Sequence, residues 1–470
     1  MEIFILSVFI LGYLAITLEH SLKIDKLVPS LLMMALAWAG VTLGLDDFTT
    51  WFDSHLGVLM NGDNGTADFA AMGHEDRLHT LESTLLHHFG KTCEILIFLI
   101  GAMTIVEIID HFHGFSTIKS FIRTNKKRTL LWIVAFLAFI LSAIIDNLTA
   151  TIVLITILRK LLDNPKDRIW FAGLIIITAN AGGAWSPIGD VTTTMLWMGK
   201  KVTAEQLFLN LIIPSLICAV VPTFLASFSK AFKGTFNLPE ETENTNPRGP
   251  FMLYLGLGMI VFVPLFKTVT HLPTYVGMML SLGVVALFAE TISAKQFKMS
   301  YLGVVNKDKK QDYVEQTPPD HHESPTFRAL SKIEMPSILF FLGILMTVAA
   351  LESLGMVFNF GQTVQASMHD DVFVMLLGAG SAVIDNVPLV AASMGMFDVT
   401  NPQYAMDTHI WHFIAYAAGT GGSMLVIGSA AGVVAMGMEK ISFFWYLKNI
   451  SWLALVGYLA GAIAYLFIYA

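Results

Sequence analysis

The sequence predicts an all-α polytopic membrane protein, with inverted repeats, two re-entrant helical hairpins, two broken transmembrane helices and about ten spans. Three observations carry that expectation. Of 470 residues, 55% are hydrophobic and only 14% charged, and the mean hydropathy is +0.65; a soluble domain carries about 25% charged residues. Apolar stretches approaching the roughly 20 residues needed to cross a bilayer recur along the chain. Finally, Ser142-Ala-Ile-Ile-Asp-Asn147 returns 239 residues later as Ser381-Ala-Val-Ile-Asp-Asn386, with five of six positions identical. The same offset carries Gly182-Gly183 onto Gly421-Gly422 and Ile188-Gly189 onto Ile427-Gly428. A register held from Ser142 to Gly189 points to a duplicated unit that kept its polar centre. A carboxylate in hydrocarbon is costly, so it needs a role or a partner.

The elements follow in order. The first apolar run has no basic n-region and no small-residue cleavage site, so it reads as a retained span. Spans 3–18 and 28–45 and a polar external loop at 46–90, with five histidines, make up an N-terminal segment, 1–91. The first repeat, 92–229, holds a span (92–109), a hairpin (130–160), a span broken at Ala181-Gly-Gly-Ala184 (169–199) and a further span (206–229). Segment 230–335 supplies two connecting spans, 251–266 and 273–290, and a charged loop, 291–334. The second repeat, 336–470, runs through a span (336–352), a hairpin (372–396), a span broken near Gly421-Gly422 (410–438) and a closing span (442–469). Cys93 and Cys218 lie in apolar segments and fit neither a disulfide framework nor a thiolate metal site.

Basic residues decide whether the Asp-Asn segments cross the membrane or enter and return. With two re-entrant hairpins and both termini outside, 23 of the 28 Lys and Arg residues lie on the cytoplasmic side. If both segments cross, 12 lie inside and 16 outside. The positive-inside rule favours the hairpins. They then enter from opposite faces, so the repeats are inverted, an architecture common among secondary transporters. The glycine pairs supply backbone freedom at the breaks. Pro187 and Pro388 sit where a helix restarts and can accommodate proline.

In this arrangement Asp146 and Asp385 occupy the hairpin tips. Ser142, Asn147, Thr149, Ser381 and Asn386 add neutral oxygens, and Asn180, Thr420 and Ser423 add more at the breaks. Oxygen ligands with carboxylates suit a hard cation such as Na⁺, not a transition metal. A carboxylate stripped of water also holds a proton more readily, and two close carboxylates couple. A site that takes either a cation or a proton meets the minimum requirement for exchange, with Asp146, Asp385 and Asp190 as the groups that couple protons.

Each of these residues has a plainer reading. Asp and Asn are good helix N-caps, so Asp146 and Asp385 could cap the second hairpin helices as well as bind ions. Asp190 has Ser429 as its repeat counterpart; it is either a third titratable group or a cap satisfying free amides. Glu107 and Glu352 are deep enough for a proton path, with interhelical pairing as the alternative. Of the fourteen histidines, those of Asp110-His-Phe-His113 and His321-His322 lack the convergent spacing of a good metal site, and the five of 46–90 either sense pH or belong to an ordinary solvated loop. The chain shows no Walker A motif, dinucleotide fingerprint or catalytic triad, which argues against an ATP-driven pump and against an enzyme.

Four stretches carry a family resemblance: Ser142-Ala-Ile-Ile-Asp-Asn-Leu-Thr-Ala-Thr151, Ser381-Ala-Val-Ile-Asp-Asn-Val-Pro-Leu-Val390, Ala179-Asn-Ala-Gly-Gly-Ala-Trp-Ser-Pro-Ile-Gly-Asp190 and Gly419-Thr-Gly-Gly-Ser-Met-Leu-Val-Ile-Gly428. Together, from about residue 92 to the end, they resemble the NhaD-type sodium/proton antiporters of the ion transporter superfamily. The resemblance implies exchange of Na⁺ or Li⁺ for H⁺ across a bacterial inner (cytoplasmic) membrane, with polar residues of these motifs in the ion path. It implies no cofactor beyond the transported ions, and a homodimer with a scaffold and a moving transport domain. The lipid bilayer is the expected partner and nucleic acid is not. Two other readings stay open: an anion carrier for dicarboxylates or arsenite on the same scaffold, which two tip carboxylates oppose, and a channel or sensor without coupled exchange.

Overall fold

The computed structural model describes residues 1–17, 22–53, 58–60, 62, 67–119, 122, 124–236, 246–304, 324–383, 386–397 and 401–469, with only the backbone described at 17, 58, 119 and 294–304. Helices α1 (Glu2–Thr17) and α2 (Leu27–Leu43) come first, followed by a short antiparallel pairing of Phe52–Asp53 with Val58–Leu59. Helix α3 (His74–His111) leads to α4 (Lys127–Ile145) and α5 (Asn147–Leu161). Helices α6 (Pro165–Gly183) and α7 (Val191–Met198) flank the first break, before α8 (Ala204–Ala226), α9 (Gly249–Thr270) and α10 (Thr274–Val304). The remainder comprises α11 (Met335–Ser353), α12 (Met356–Ser367), α13 (Asp370–Gly380) and α14 (Asn386–Met396). Helices α15 (His409–Gly421) and α16 (Ala430–Glu439) flank the second break, and α17 (Phe443–Asn449) and α18 (Ser451–Tyr469) close the chain. Seven helices among the described residues are long and apolar enough to cross a membrane. The protein is an all-α membrane protein.

Two boundaries differ from expectation. Helix α3 begins at His74, inside the stretch read as a polar loop, so the expected division between 91 and 92 falls within a continuous helix. Buried Arg77, Leu81 and Thr84 recur at helical spacing there. The Arg77 guanidinium donates to the carbonyls of Leu45, Asp46, Phe48, Ala70 and Met72, which anchors the helix start. Likewise, the charged loop at 291–334 is helical to Val304 and again over Pro325–Lys332. His321 and His322 lie outside the described residues.

The chain divides into two compact units. The smaller comprises Ile97–Arg123 and Glu240–Glu334. In it α9 packs along α10, and Gly256 of α9 lets Ile105 and Ile109 of α3 approach closely. Glu290 accepts from Ser324 Oγ at 2.5 Å and from Thr326 N at 3.1 Å, fastening α10 to Pro325–Lys332.

The larger unit, Met1–Leu96, Thr124–Pro239 and Met335–Ala470, holds both hairpin sequences and both breaks. The offset of 239 relates its contacts as well as its residues. Ser142 Oγ donates to Ala179 O at 2.5 Å, and Ser381 Oγ donates to Ala418 O at 3.2 Å. A Cβ at Gly182 would lie 2.2 Å from Phe139 O, and one at Gly421 would lie 2.1 Å from Gly378 O. Helices α4 and α13 therefore meet α6 and α15 backbone to backbone, and only glycine permits that approach. The pairing then crosses over: α5 packs on α16 and α14 packs on α7, so the helix that follows each Asp-Asn sequence lies against the helix restarted after the other break. At the first break Ser186 Oγ donates to Ala143 O at 2.5 Å, tying the irregular backbone to the end of α4.

Candidate functional site

The site is built where helices restart. Helix α4 ends and α5 begins at Asp146, whose backbone sits at φ 73°, ψ 160°. That region is almost confined to glycine, and an aspartate held there stores strain on the order of 1–3 kcal/mol. Its carboxylate accepts from Thr149 N at 2.8 Å and Thr149 Oγ1 at 2.9 Å, capping α5. Asp190 caps α7 in the same way, accepting from Thr192 N and Thr192 Oγ1, both at 2.9 Å. Its counterpart Ser429 caps α16 by accepting from Gly432 N at 3.2 Å, with nearly the same backbone angles.

Asp190 is the hub. It is 3% exposed. Asn147 Nδ2, from the first hairpin, donates to Asp190 Oδ2 at 2.5 Å and to Asn180 Oδ1 at 3.0 Å. Asn386 Nδ2, from the second hairpin, lies 3.4 Å from the same Oδ2. Asn180 Nδ2 donates to Ser429 Oγ at 3.1 Å, joining the two broken helices. The donors from Asn147, Asn386 and Thr192 are all neutral. Neutral donors and the N-terminal dipole of α7 moderate a buried negative charge, but removing an ionised carboxylate from water remains expensive unless it is paired.

Comparison with known proteins gives the family. The profile described as "Citrate transporter" matches residues 13–304. Sodium/proton antiporter 1 of Arabidopsis thaliana is 39% identical over 460 residues, covering 97% of this chain and 70% of the relative. Na(+)/H(+) antiporter NhaD of Vibrio parahaemolyticus is 32% identical over 376 residues, covering 78% of this chain and 88% of that protein. The chain belongs to the NhaD-type sodium/proton antiporter family. The YdaH transporter of Alcanivorax borkumensis, a crystal structure, shares the fold of this NhaD-type chain with a TM-score of 0.55 at 13% identity, over 93% of this chain and 97% of that one.

Within this NhaD-type chain the expected site residues fall into three groups. Asn147, Asn180, Asp190 and Asn386 meet in one cluster. Ser142 and Ser381 lie behind it, each donating to a broken-helix carbonyl. Thr149 serves Asp146, while Thr420 and Ser423 donate to carbonyls of their own segment, Tyr416 O at 2.6 Å and Thr420 O at 2.7 Å. Asp385 lies outside the described residues. Ser429 and Thr192 join the cluster without having been expected. The offset of 239 from Asp190 was the available signal for the first, and the cap spacing Asp-x-Thr for the second.

Proposed function

We propose that the chain exchanges Na⁺ or Li⁺ for H⁺ by alternating access at a site centred on Asp190. One observation carries the reading: a buried carboxylate receives an asparagine from each of the two repeated hairpin sequences. Asn147, Asn180 and Asn386 present amide oxygens once their side chains turn toward a cation. Asp146 and Asp385 supply the remaining carboxylates, and Ser142, Ser381, Thr149, Thr420 and Ser423 supply hydroxyl oxygens at or behind the tips. A cation needs the carboxylate ionised and a proton displaces it, so occupancy by one excludes the other.

The reading includes inverted repeats, two re-entrant hairpins and about ten spans, with both termini outside. The distribution of basic residues supports that orientation. It places the chain as a homodimer in a bacterial inner membrane; the motif resemblance supports the dimer, and the Vibrio relative supports a bacterial setting. The profile's description favours a second reading, an anion carrier. Anions bind at helix N-termini, but at α7 that position is filled by the Asp190 carboxylate itself. The test is transport into proteoliposomes of Na⁺ against a pH gradient, with citrate in parallel. Lowering the pH should raise the apparent KM for Na⁺ while changing the maximal rate much less. Citrate uptake without Na⁺/H⁺ exchange would select the anion carrier, and a KM that stays fixed across pH would remove the shared site.

A further inference from the structure

Helices α7 and α14 start at the Asp190 cluster, at Asp190 and Asn386, and pack against each other. At their far ends lies a cavity of about 240 Å³ lined by α3, α7, α11 and α14. Its lining reaches in to Met195 and Ala391. Each is five residues beyond Asp190 or Asn386, so about 7–8 Å of helical rise separates cavity from cluster. Glu352, near the end of α11, lines this cavity and rests against α14: a Cβ on Gly395 would lie 3.0 Å from Glu352 Cδ. Lys201, just past α7, lines it too, with Nζ held 4.5 Å from the centre of the Trp411 ring. Burial pushes the Lys201 ammonium down to about 8 while the Glu352 charge pulls it back up, so the two groups sense each other. His87, His88, Lys91 and Glu94 of α3 face them. The C-terminal ends of α7 and α14 add negative partial charge, which favours an arriving cation.

We propose that Glu352 relays protons at the external mouth of the site. Its carboxylate takes a proton from a hydronium in the cavity, leaving water behind. It then returns that proton to water between α7 and α14, from which Asp190 is protonated as Na⁺ departs. Lys201, on the same cavity lining, adds a positive charge that favours the ionised form of the relay carboxyl. The inference rests on reading Asp190 as the exchange carboxylate.

The test compares Glu352→Gln and Glu352→Asp with the parent chain in oriented proteoliposomes across a range of pH. In Glu352→Gln the maximal exchange rate should fall about tenfold, with the apparent KM for Na⁺ held within twofold. Glu352→Asp should recover at least half of the rate. In a Cys93- and Cys218-free chain, Glu352→Cys should react with a charged, membrane-impermeant thiol reagent added outside, a readout independent of transport. A parental rate and pH profile in Glu352→Gln would overturn the relay. So would failure of the thiol reagent to reach position 352, a rise in the Na⁺ KM without loss of rate, or a lowered melting temperature that Glu352→Asp does not restore. An Asp190→Asn control keeps the two readings apart. Normal exchange in Asp190→Asn would remove the cluster as the exchange site, whereas a parental Glu352→Gln beside an inactive Asp190→Asn would remove the relay alone.

Discussion

Asn147 donates to Asp190 at 2.5 Å, from the start of a hairpin helix to the cap of a broken one. Asn386 reaches the same oxygen from the other repeat at 3.4 Å. Two related asparagines thus converge on a residue that has no acidic counterpart, because the equivalent position is Ser429. The duplication supplies a symmetric cradle, and the buried carboxylate stands at the position where the symmetry fails.

Asp190→Asn should reduce exchange to background at every pH while the protein accumulates and melts normally. An amide keeps a good cap for α7 but neither titrates nor carries charge. Asp190→Ser, which restores the symmetry with Ser429, should be equally inactive and equally folded. Dequenching of a pH-sensitive dye in everted vesicles, alongside a detergent melt, checks both. Exchange at the parental rate would return Asp190 to capping alone.

Ser142→Ala and Ser381→Ala should raise the apparent KM for Na⁺ with a smaller effect on maximal rate. Each removes a hydroxyl bonded to a broken-helix carbonyl. The lost hydrogen bond is worth about 1 kcal/mol, roughly a fivefold change in affinity. Ser142→Ala should be the worse, since its contact at 2.5 Å is the shorter, while Ser381 also bonds Gly378 O. Initial rates against Na⁺ concentration would show the order.

Gly182→Ala and Gly421→Ala should each lower the melting temperature and the yield of folded protein. The added methyl would meet a backbone carbonyl that cannot rotate away, and overpacking of this kind costs about 1–3 kcal/mol or more. Gly437→Ala, with nothing within 4 Å of its Cβ, is the control. It should be neutral or stabilising by up to about 1 kcal/mol, since alanine favours a helix.

Glu439, 2% exposed, takes Arg159 at 2.7 Å and Arg168 at 2.9 Å, joining the ends of α5 and α16 to the start of α6. Arg168→Met should cost about 2 kcal/mol, because that arginine is mostly buried and also bonds Leu162 O and Asp163 O. Arg159→Met should cost under about 1 kcal/mol, since that side chain is 43% exposed. Thermal unfolding of the two variants decides the ranking.

Single cysteines in a Cys93- and Cys218-free chain should sort by membrane side. Position 166, in the exposed turn at the start of α6, should label only from the cytoplasm. Position 200, exposed just past α7, should label only from outside. External labelling at 166 would mean that the first hairpin crosses the membrane, and the inverted arrangement would fall.

Much of this was readable before any coordinates. The repeated Ser-Ala-x-Ile-Asp-Asn marked two helix starts, at Asn147 and Asn386, because a costly polar group in an apolar run is visible in one dimension. The glycine pairs marked the helix ends before the breaks, but they keep helical geometry there, and Gly182 and Gly421 serve close backbone packing rather than backbone freedom. What was hidden depended on side-chain direction. Asp146 looked central, yet its carboxylate turns back onto Thr149, and Asp190 receives both asparagines. No spacing rule could join Asn180 to Ser429 across 249 residues. The start of α3 was missed because its polar residues resemble a loop to a hydropathy window, whereas its buried positions follow helical spacing.

At Gly182 and Gly421 the hairpin arm and the broken helix touch with no side chain between them. Side chains are the compliant part of a protein interior, changing rotamer far faster than whole segments move. An interface without them has little slack. A displacement of α4 or α13 would press directly on the backbone of α6 or α15, and the short irregular stretches after Gly183 and Gly421 are where the chain could bend. Those stretches end at Asp190 and Ser429, so a mechanical load on the hairpins is delivered to the residues that hold the cluster together.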